Sequence, residues 1–387
     1  MQEWKVYEFK ELVNLSKEKY NPKSETMNLP CIELEHIESE TGRLLGYTNS
    51  IEQQSIKNKF KANDILYGKL RPYLRKFYFP NFEGVCSSEI WVLQSIEEKI
   101  HNKYLYYLIQ TNKFNEHANK SSGTKMPRAD WNYISEITFP IPPIKEQQKI
   151  ASILSTWDKA IELKEKLIEQ KKQQKKGLMQ KLLTGKVRLS GFVGEWKNVI
   201  LGKLIKEVNE KSTENNQFQV LSVTKNGIVA QSEHFNKQIA SENNIGYKII
   251  RKNNLVFSTM NLWMGSLDVL TNYEIGIVSP AYKVFEFYQD RINPSFGKYF
   301  MKSEKMIWIY NMNSEQGASI VRRNLDLKGL LNTIVKIPSI DEQNAIANIF
   351  LCVDREINLL EEQKEELKRQ KKGLMQLLLT GKVRVQV

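Results

Sequence analysis

Three cysteines and four histidines are all that the 387 residues supply. Cys31, Cys86 and Cys352 are odd in number and far apart, with no CxxC spacing, so neither a disulfide framework nor a thiolate metal site is expected. His36, His101, His117 and His234 stand alone and match no ligand spacing. Apolar residues never run to the length of a membrane span, and Met1-Gln2-Glu3-Trp4 does not open a charged-then-apolar leader. A cytoplasmic protein is the expectation. Also missing are a glycine-rich phosphate loop, the Pro-Asp opening of a metal-dependent nuclease core, the Asn/Asp-Pro-Pro-Tyr/Phe motif of amino-methyltransferases, and HExxH. These absences point to a binding module rather than an enzyme.

What the chain does have is positive charge, unevenly placed. The net formal charge is +13. Residues 141–189 carry 12 basic against 5 acidic side chains and residues 190–336 carry 18 against 13, while 1–140 (19 against 18) and 337–387 (8 against 8) are near balance. Lys and Arg that neutralise phosphates release counterions, so a polyanion, with nucleic acid foremost, is the natural partner.

The chain also says nearly the same thing twice. Pro142 to Leu189 returns as Pro338 to Val385 at a constant offset of 196 residues, without a gap. Glu146 maps to Glu342, Asp158 to Asp354, Gly177 to Gly373 and Gly185 to Gly381. Two copies suggest pseudo-twofold symmetry rather than a solenoid. Each copy follows a stretch rich in aromatic and β-branched residues, with short runs such as Asp64 to Tyr67, Val85 to Leu93, Asn254 to Thr259 and Ile275 to Phe287 that read as strands. Weak echoes link these stretches: Glu3-Trp4-Lys5 with Glu195-Trp196-Lys197, Gly84 to Ser87 with Gly276 to Ser279, and Gly123 and Arg128 with Gly317 and Arg322. The expected fold is therefore α+β: two mostly β domains, 1–140 and 190–336, separated by helical regions 141–189 and 337–387.

In the second repeat Val353, Ile357, Leu360, Leu367, Leu374 and Leu378 alternate spacings of four and three with Lys364 and Lys371, the heptad of a coiled coil. The first repeat keeps the frame with Trp157, Ile161, Ile168, Leu178 and Leu182, but places Lys164, Lys171 and Lys175 on the seam. Glu361, Glu362, Glu365 and Glu366 face a first helix bearing Lys171-Lys172 and Lys175-Lys176, which favours an intramolecular, antiparallel pair with the two β domains at opposite ends. Pro142-Pro143 suits a first helical turn, Ser339 with Glu342 has capping-box spacing, and Thr184-Gly185 and Thr380-Gly381 read as stops. A glycine inside a helix costs about 1 kcal/mol relative to alanine. Close backbone contact is the expected reason for Gly177 and Gly373.

The basic loops carry the candidate chemistry. Tyr67-Gly68-Lys69-Leu70-Arg71-Pro72-Tyr73-Leu74-Arg75-Lys76 packs four cations and two aromatics between strands, and Ser121 to Arg128 and Gln316 to Arg323 are glycine-bearing loops of the same kind. Arg and Lys pair with phosphates or guanine edges, and Ser and Thr serve either. The candidate DNA contacts are Tyr67, Lys69, Arg71, Arg75, Lys76, Thr124, Lys125 and Arg128 in the first domain and Ser258, Thr259, Ser319, Arg322 and Arg323 in the second. The alternative for each is a solvated surface loop.

With these motifs in hand, the chain resembles the specificity subunit of type I restriction-modification enzymes. The resemblance rests on Ile-Pro-Pro-x-x-Glu-Gln-x-x-Ile-Ala at Ile141 to Ala151, its partner at Ile337 to Ala347, and the Gly-Leu-Met-Gln and Leu-Leu-Thr-Gly-Lys-Val-Arg endings. Tyr67 to Pro72 and Gly123 to Arg128 match the family's Tyr-Gly-Lys-Leu-Arg-Pro and Gly-Thr-x-x-Pro-Arg patterns, whereas Phe257 to Met260 and Gly317 to Arg322 depart from them. The resemblance implies that each β domain is a target-recognition domain reading one half of a bipartite DNA site. It implies that the helices act as a ruler and dock two methyltransferase subunits, with motor-nuclease subunits joining them. S-adenosylmethionine, ATP and Mg would then belong to the partners, with no cofactor or metal on this chain. Two rivals are the recognition subunit of a type II enzyme cutting beside a bipartite site, and a stand-alone DNA nuclease.

Overall fold

Two helices of 39 residues, Ile144–Leu182 and Ile340–Leu378, organise the computed structural model, which describes residues 3–120, 126–224, 227–234, 243–316 and 323–386. Both run unbroken; along the heptad seam read from the sequence Ile168, Leu182, Ile357 and Leu378 are buried and the other positions half-buried. The chain divides into two compact units, residues 1–165 with 362–387 and residues 166–361. The helical regions therefore do not stand apart from the β domains, since each unit takes part of both helices.

Within each unit the helical segments are antiparallel. In the first, Glu146 meets Arg384, Asp158 meets Lys371 and Lys164 meets Gln363, so partner numbers fall as residue numbers rise. The second repeats the order with Lys171–Glu356 at 2.7 Å, Lys175–Asp354 at 2.5 Å and Arg188–Glu342. Of the lysines on the polar seam, Lys171 and Lys175 reach acids and Lys164 reaches an amide oxygen. The acid cluster is only partly used: Lys172 takes Glu361, but Glu365 and Glu366 pair within their own helix with Lys368 and Arg369.

The β layers are built alike. In the first unit Lys5–Glu8 pairs with Thr138–Ile141, delivering the chain into the first long helix. A four-stranded sheet orders Val13–Leu15, Ile90–Ser95, Ile65–Gly68 and Phe77–Tyr78, and a five-stranded sheet lies beside it in sequence. In the second, Lys197–Ile200 pairs with Ile334–Ile337, and Ile205–Val208, Tyr282–Phe287, Leu255–Ser258 and Leu267–Val269 repeat the four-stranded order. Two runs expected as single strands are each split: Ser87-Ser88 and Ser279-Pro280 interrupt them, and a proline cannot donate to a sheet ladder. No helix among the described residues is long and apolar enough to cross a membrane.

Identities between the two repeats fall where the parts of each unit are joined. Arg384 Nε and Nη2 donate to the two carboxylate oxygens of Glu146 at 2.6 and 2.7 Å, and Arg188 grips Glu342 at 2.6 Å on both. Glu146 and Glu342 are buried, and the arginine takes the place of water at both carboxylate oxygens. Next door, Gln147 accepts from the His101 amide at 2.7 Å and donates to the Lys99 and Pro142 carbonyls; Gln343 does the same for Asn293, Arg291 and Pro338. The Tyr107 hydroxyl donates to Asp158 at 2.6 Å with Lys371 above its ring, mirrored by Tyr299, Asp354 and Lys175. Burial and the neighbouring carboxylate push both hydroxyls well above their usual range, so each remains a donor. The Trp echo has the same logic: Trp4 packs on Gly381 and Trp196 on Gly185, at φ +74° and +70°, where the chain leaves each helix.

Two sequence expectations are corrected. The capping box at Ser339 is half made: Ser339 Oγ accepts from the Glu342 amide at 3.4 Å, but the Glu342 carboxylate turns to Arg188, a stronger charge-assisted partner. No close backbone contact explains Gly177 or Gly373, because a Cβ on either would meet nothing within 4 Å. Gly177→Ala and Gly373→Ala should each stabilise the isolated chain by about 1 kcal/mol through helix propensity alone, read as a raised denaturation midpoint; a loss of stability would contradict the open surroundings. The clamps predict a larger effect of opposite sign. Arg384→Ala or Arg188→Ala strands a buried carboxylate and should lower the urea midpoint by more than either glycine substitution raises it, with Lys recovering part; an unchanged midpoint would show the pairs to be incidental.

Candidate nucleic-acid interface

In the first unit the two basic loops meet. The strand Ile65–Gly68 ends in Lys69-Leu70-Arg71, and this segment is laced to Pro127-Arg128-Ala129: the Arg71 amide donates to the Pro127 carbonyl at 2.8 Å and the Ala129 amide to the Lys69 carbonyl at 2.8 Å. The turn Pro72–Leu74 is flanked by Arg71 and Arg75, both left-handed at φ 52° and 48°. Such a conformation is uncommon for non-glycine residues, and here a proline start and the lacing to the second loop maintain it. Arg71 is exposed.

Arg128 is exposed but not loose. Its Nε and Nη2 donate to Glu89 Oε2 and Oε1 at 3.0 and 3.1 Å, and this hydrogen bonding holds the Glu89 carboxyl below the usual carboxylate range. Lys69 adds to the depression, and its amide donates to the Glu89 carbonyl at 2.9 Å. Lys69, Arg128, Ala129 and Asp130 surround an open cleft of about 440 Å³ that also reaches Trp91 and Trp131, whose rings meet edge to face at 5.6 Å. Lys69 and Arg128 beside this aromatic surface could meet a phosphate or a base edge.

The structure corrects part of the candidate set. Tyr67 is fully enclosed, stacked on Trp91 and edge-on to Phe114, with its hydroxyl on Asn115; it belongs to the core and cannot touch DNA. It ends the run read as a strand, which is buried on both faces, and the basic segment begins only after Gly68. Lys76 donates its ammonium to the Leu34 carbonyl at 2.6 Å and Arg75 reaches Asn112 at 3.4 Å, and both side chains stay partly exposed. Thr124 and Lys125 lie outside the described residues.

The second unit brings its own pair of segments together differently. Ser258 and Thr259, half-buried at the end of Leu255–Ser258, lead to Met260, whose carbonyl accepts from the Arg323 amide at 3.2 Å. The Arg323 guanidinium lies 4.2 Å over the Trp263 ring and donates to Asn311 at 2.5 Å. Ser319 and Arg322 lie outside the described residues. Sequence reasoning missed Glu89, Trp263 and Asn311, because no local pattern ties them to arginines 39, 60 and 12 residues away.

Comparison with known proteins bears on what these sites serve. Residues 1–173 match the type I restriction modification DNA specificity domain. The chain is 26% identical over 336 residues to the type I restriction enzyme MjaVIII specificity subunit of Methanocaldococcus jannaschii, covering 78% of this chain and 75% of that one. It is 25% identical to the putative MjaX specificity subunit of the same organism, over 99% of this chain and 94% of the relative, and 38% identical to the Escherichia coli EcoDI specificity subunit over 30% and 26%. Among solved structures, a chain from a study of complex assembly and conformational transition of the type I R-M system superposes with a TM-score of 0.64 at 16% identity, covering 99% of both chains. The S subunit of M. genitalium superposes at 0.53 with 15% identity, covering 97% of this chain and 96% of that one. The structural matches carry the fold, and the sequence matches carry a likeness: the chain is similar along its length to specificity subunits of type I restriction-modification systems, and residues 1–173 match the DNA specificity domain of that family.

Proposed function

We propose that this chain is the DNA-recognition subunit of a type I restriction-modification complex in which each unit reads one half of a bipartite sequence and the long helices set the spacing between the halves. The observation that carries this reading is the repetition of one arrangement with different contents. Each unit holds two chain-distant segments side by side at the end of the same buried strand, but one presents Lys69, Arg71 and Arg128 and the other Ser258, Thr259 and Arg323. Equal scaffolds with unequal loops are what two different half-sites require, and base edges distinguish sequence where phosphates do not.

The partners follow from the same duplication. The helices present Leu163 and Leu359, an offset of 196 residues, at 55% and 54% exposure, so each copy offers an exposed leucine at the same place to a partner. We assign that surface to two methyltransferase subunits, with motor-nuclease subunits joining the assembly in the cytoplasm. S-adenosylmethionine, ATP and Mg would be held by those partners, and this chain contributes recognition rather than catalysis.

Methylome sequencing of cells with and without the gene tests the reading: one bipartite motif should lose methylation in the deletion, and an unchanged methylome would refute it. A shortened chain tests the spacing. Removing Ile161 to Leu167 and Ile357 to Gln363 keeps the seam in phase and takes about 10 Å from each helix, at about 1.5 Å per residue. Both half-sites should persist with the spacer reduced by about three base pairs, at about 3.4 Å each. Recovery of the original spacer would show that the helices do not set it.

A further inference from the structure

We propose that Glu89 is a positioning residue for base readout: it holds Arg128 so that a fixed pair of donors meets a guanine edge. This deepens the proposed function and rests on the reading of the Lys69 and Arg128 segments as a DNA interface.

The geometry of the pair carries the argument. A guanidinium has five N–H groups in one plane. Glu89 takes the side-on edge, one N–H from Nε and one from Nη2, at 3.0 and 3.1 Å. Three N–H groups are left over, two on Nη1 and one on Nη2. A donor from each of those two nitrogens forms the end-on fork that can give parallel hydrogen bonds to O6 and N7 of guanine in the major groove. The carboxylate therefore fixes the plane of the ion without using the donors that would read a base.

Glu89 is itself well anchored. It immediately precedes the strand Ile90–Ser95, and its carbonyl accepts the Lys69 amide at 2.9 Å. The acid that lines the cleft, Asp130, caps the helix Trp131–Ser135 by accepting from the Asn132 amide at 3.0 Å. Arg128 remains half exposed, at 49%. Immobilising a rotamer-rich side chain on binding costs affinity, and an arginine ordered in advance avoids most of that cost.

The second unit supplies an internal control. The residue preceding its equivalent strand Tyr282–Phe287 is Ala281, and Arg323 is held by Asn311 and the Trp263 ring instead. An effect of Glu89 is thus confined to the half-site read by the first unit.

The test is site selection from a DNA library with both half-sites randomised, using the chain assembled with its methyltransferase subunits. Wild type is compared with Glu89→Gln, Glu89→Ala, Arg128→Ala and the double Ala variant. Arg128→Ala should abolish a guanine preference at one position of one half-site. Glu89→Ala should weaken that same preference about 3- to 10-fold, and Glu89→Gln by less. The other half-site should be unchanged, and the double variant should match Arg128→Ala alone. Full guanine preference in Glu89→Ala, alongside its loss in Arg128→Ala, overturns the proposal and leaves the interface standing. A uniform change in affinity at every position also overturns it, because the carboxylate would then act only through net charge. If Arg128→Ala leaves every base preference intact, the reading of this loop as a DNA interface fails as well.

Discussion

A carboxylate that cannot reach water must be given a cation, and this constraint, met twice, fixes the architecture of both units. Glu146 takes Arg384 across 238 residues of chain and Glu342 takes Arg188 across 154. Because both acids sit in the first turn of a long helix and both arginines just beyond the end of the other, each pair determines which ends lie together. Replacing such a pair with apolar residues need not weaken a protein, but removing one member does, so the pairs act chiefly by making one arrangement much better than its alternatives.

The remaining joints extend outward from that point. Gln147 and Gln343 secure the turn that begins the short helices of their own β layer, and Tyr107 and Tyr299 tie those helices to the Asp–Lys pairs on the seam. A loop carried on elements fixed in this way can hold its side chains in one geometry while its sequence changes freely. Arg128 and Arg323 illustrate the result: one is set by a carboxylate, the other by an amide oxygen and an indole face. The scaffold is shared between the units, and the side chains that hold the two arginines are not.

Much of the architecture was legible in the sequence because it is local or repeated. The heptad seam, the glycine stops and the antiparallel helix order within each unit all follow from spacing and charge over a few dozen residues. The clamps were not legible, since Glu342 in isolation reads as a capping-box acid and only the fold brings Arg188 to it. Gly177 and Gly373 suggested tight packing where there is open space. The candidate site was partly legible: cations between glycine and proline picked out two segments that the fold brings together, yet Tyr67, read both as the end of a strand and as the start of the basic loop, is enclosed by packing that its neighbours in sequence do not reveal. Glu89 escaped notice for the converse reason, being a lone acid whose meaning depends on an arginine from another segment.

The central claim is that each unit folds around its own clamp, so that the two long helices are not one cooperative element. Native-state hydrogen exchange compared between the wild-type chain and Glu146→Gln tests it most directly. The account predicts faster exchange in 144–165 and 362–378 together with the first β layer, and unchanged protection in 166–182 and 340–361. Equal loss of protection along the whole length of both helices would contradict it.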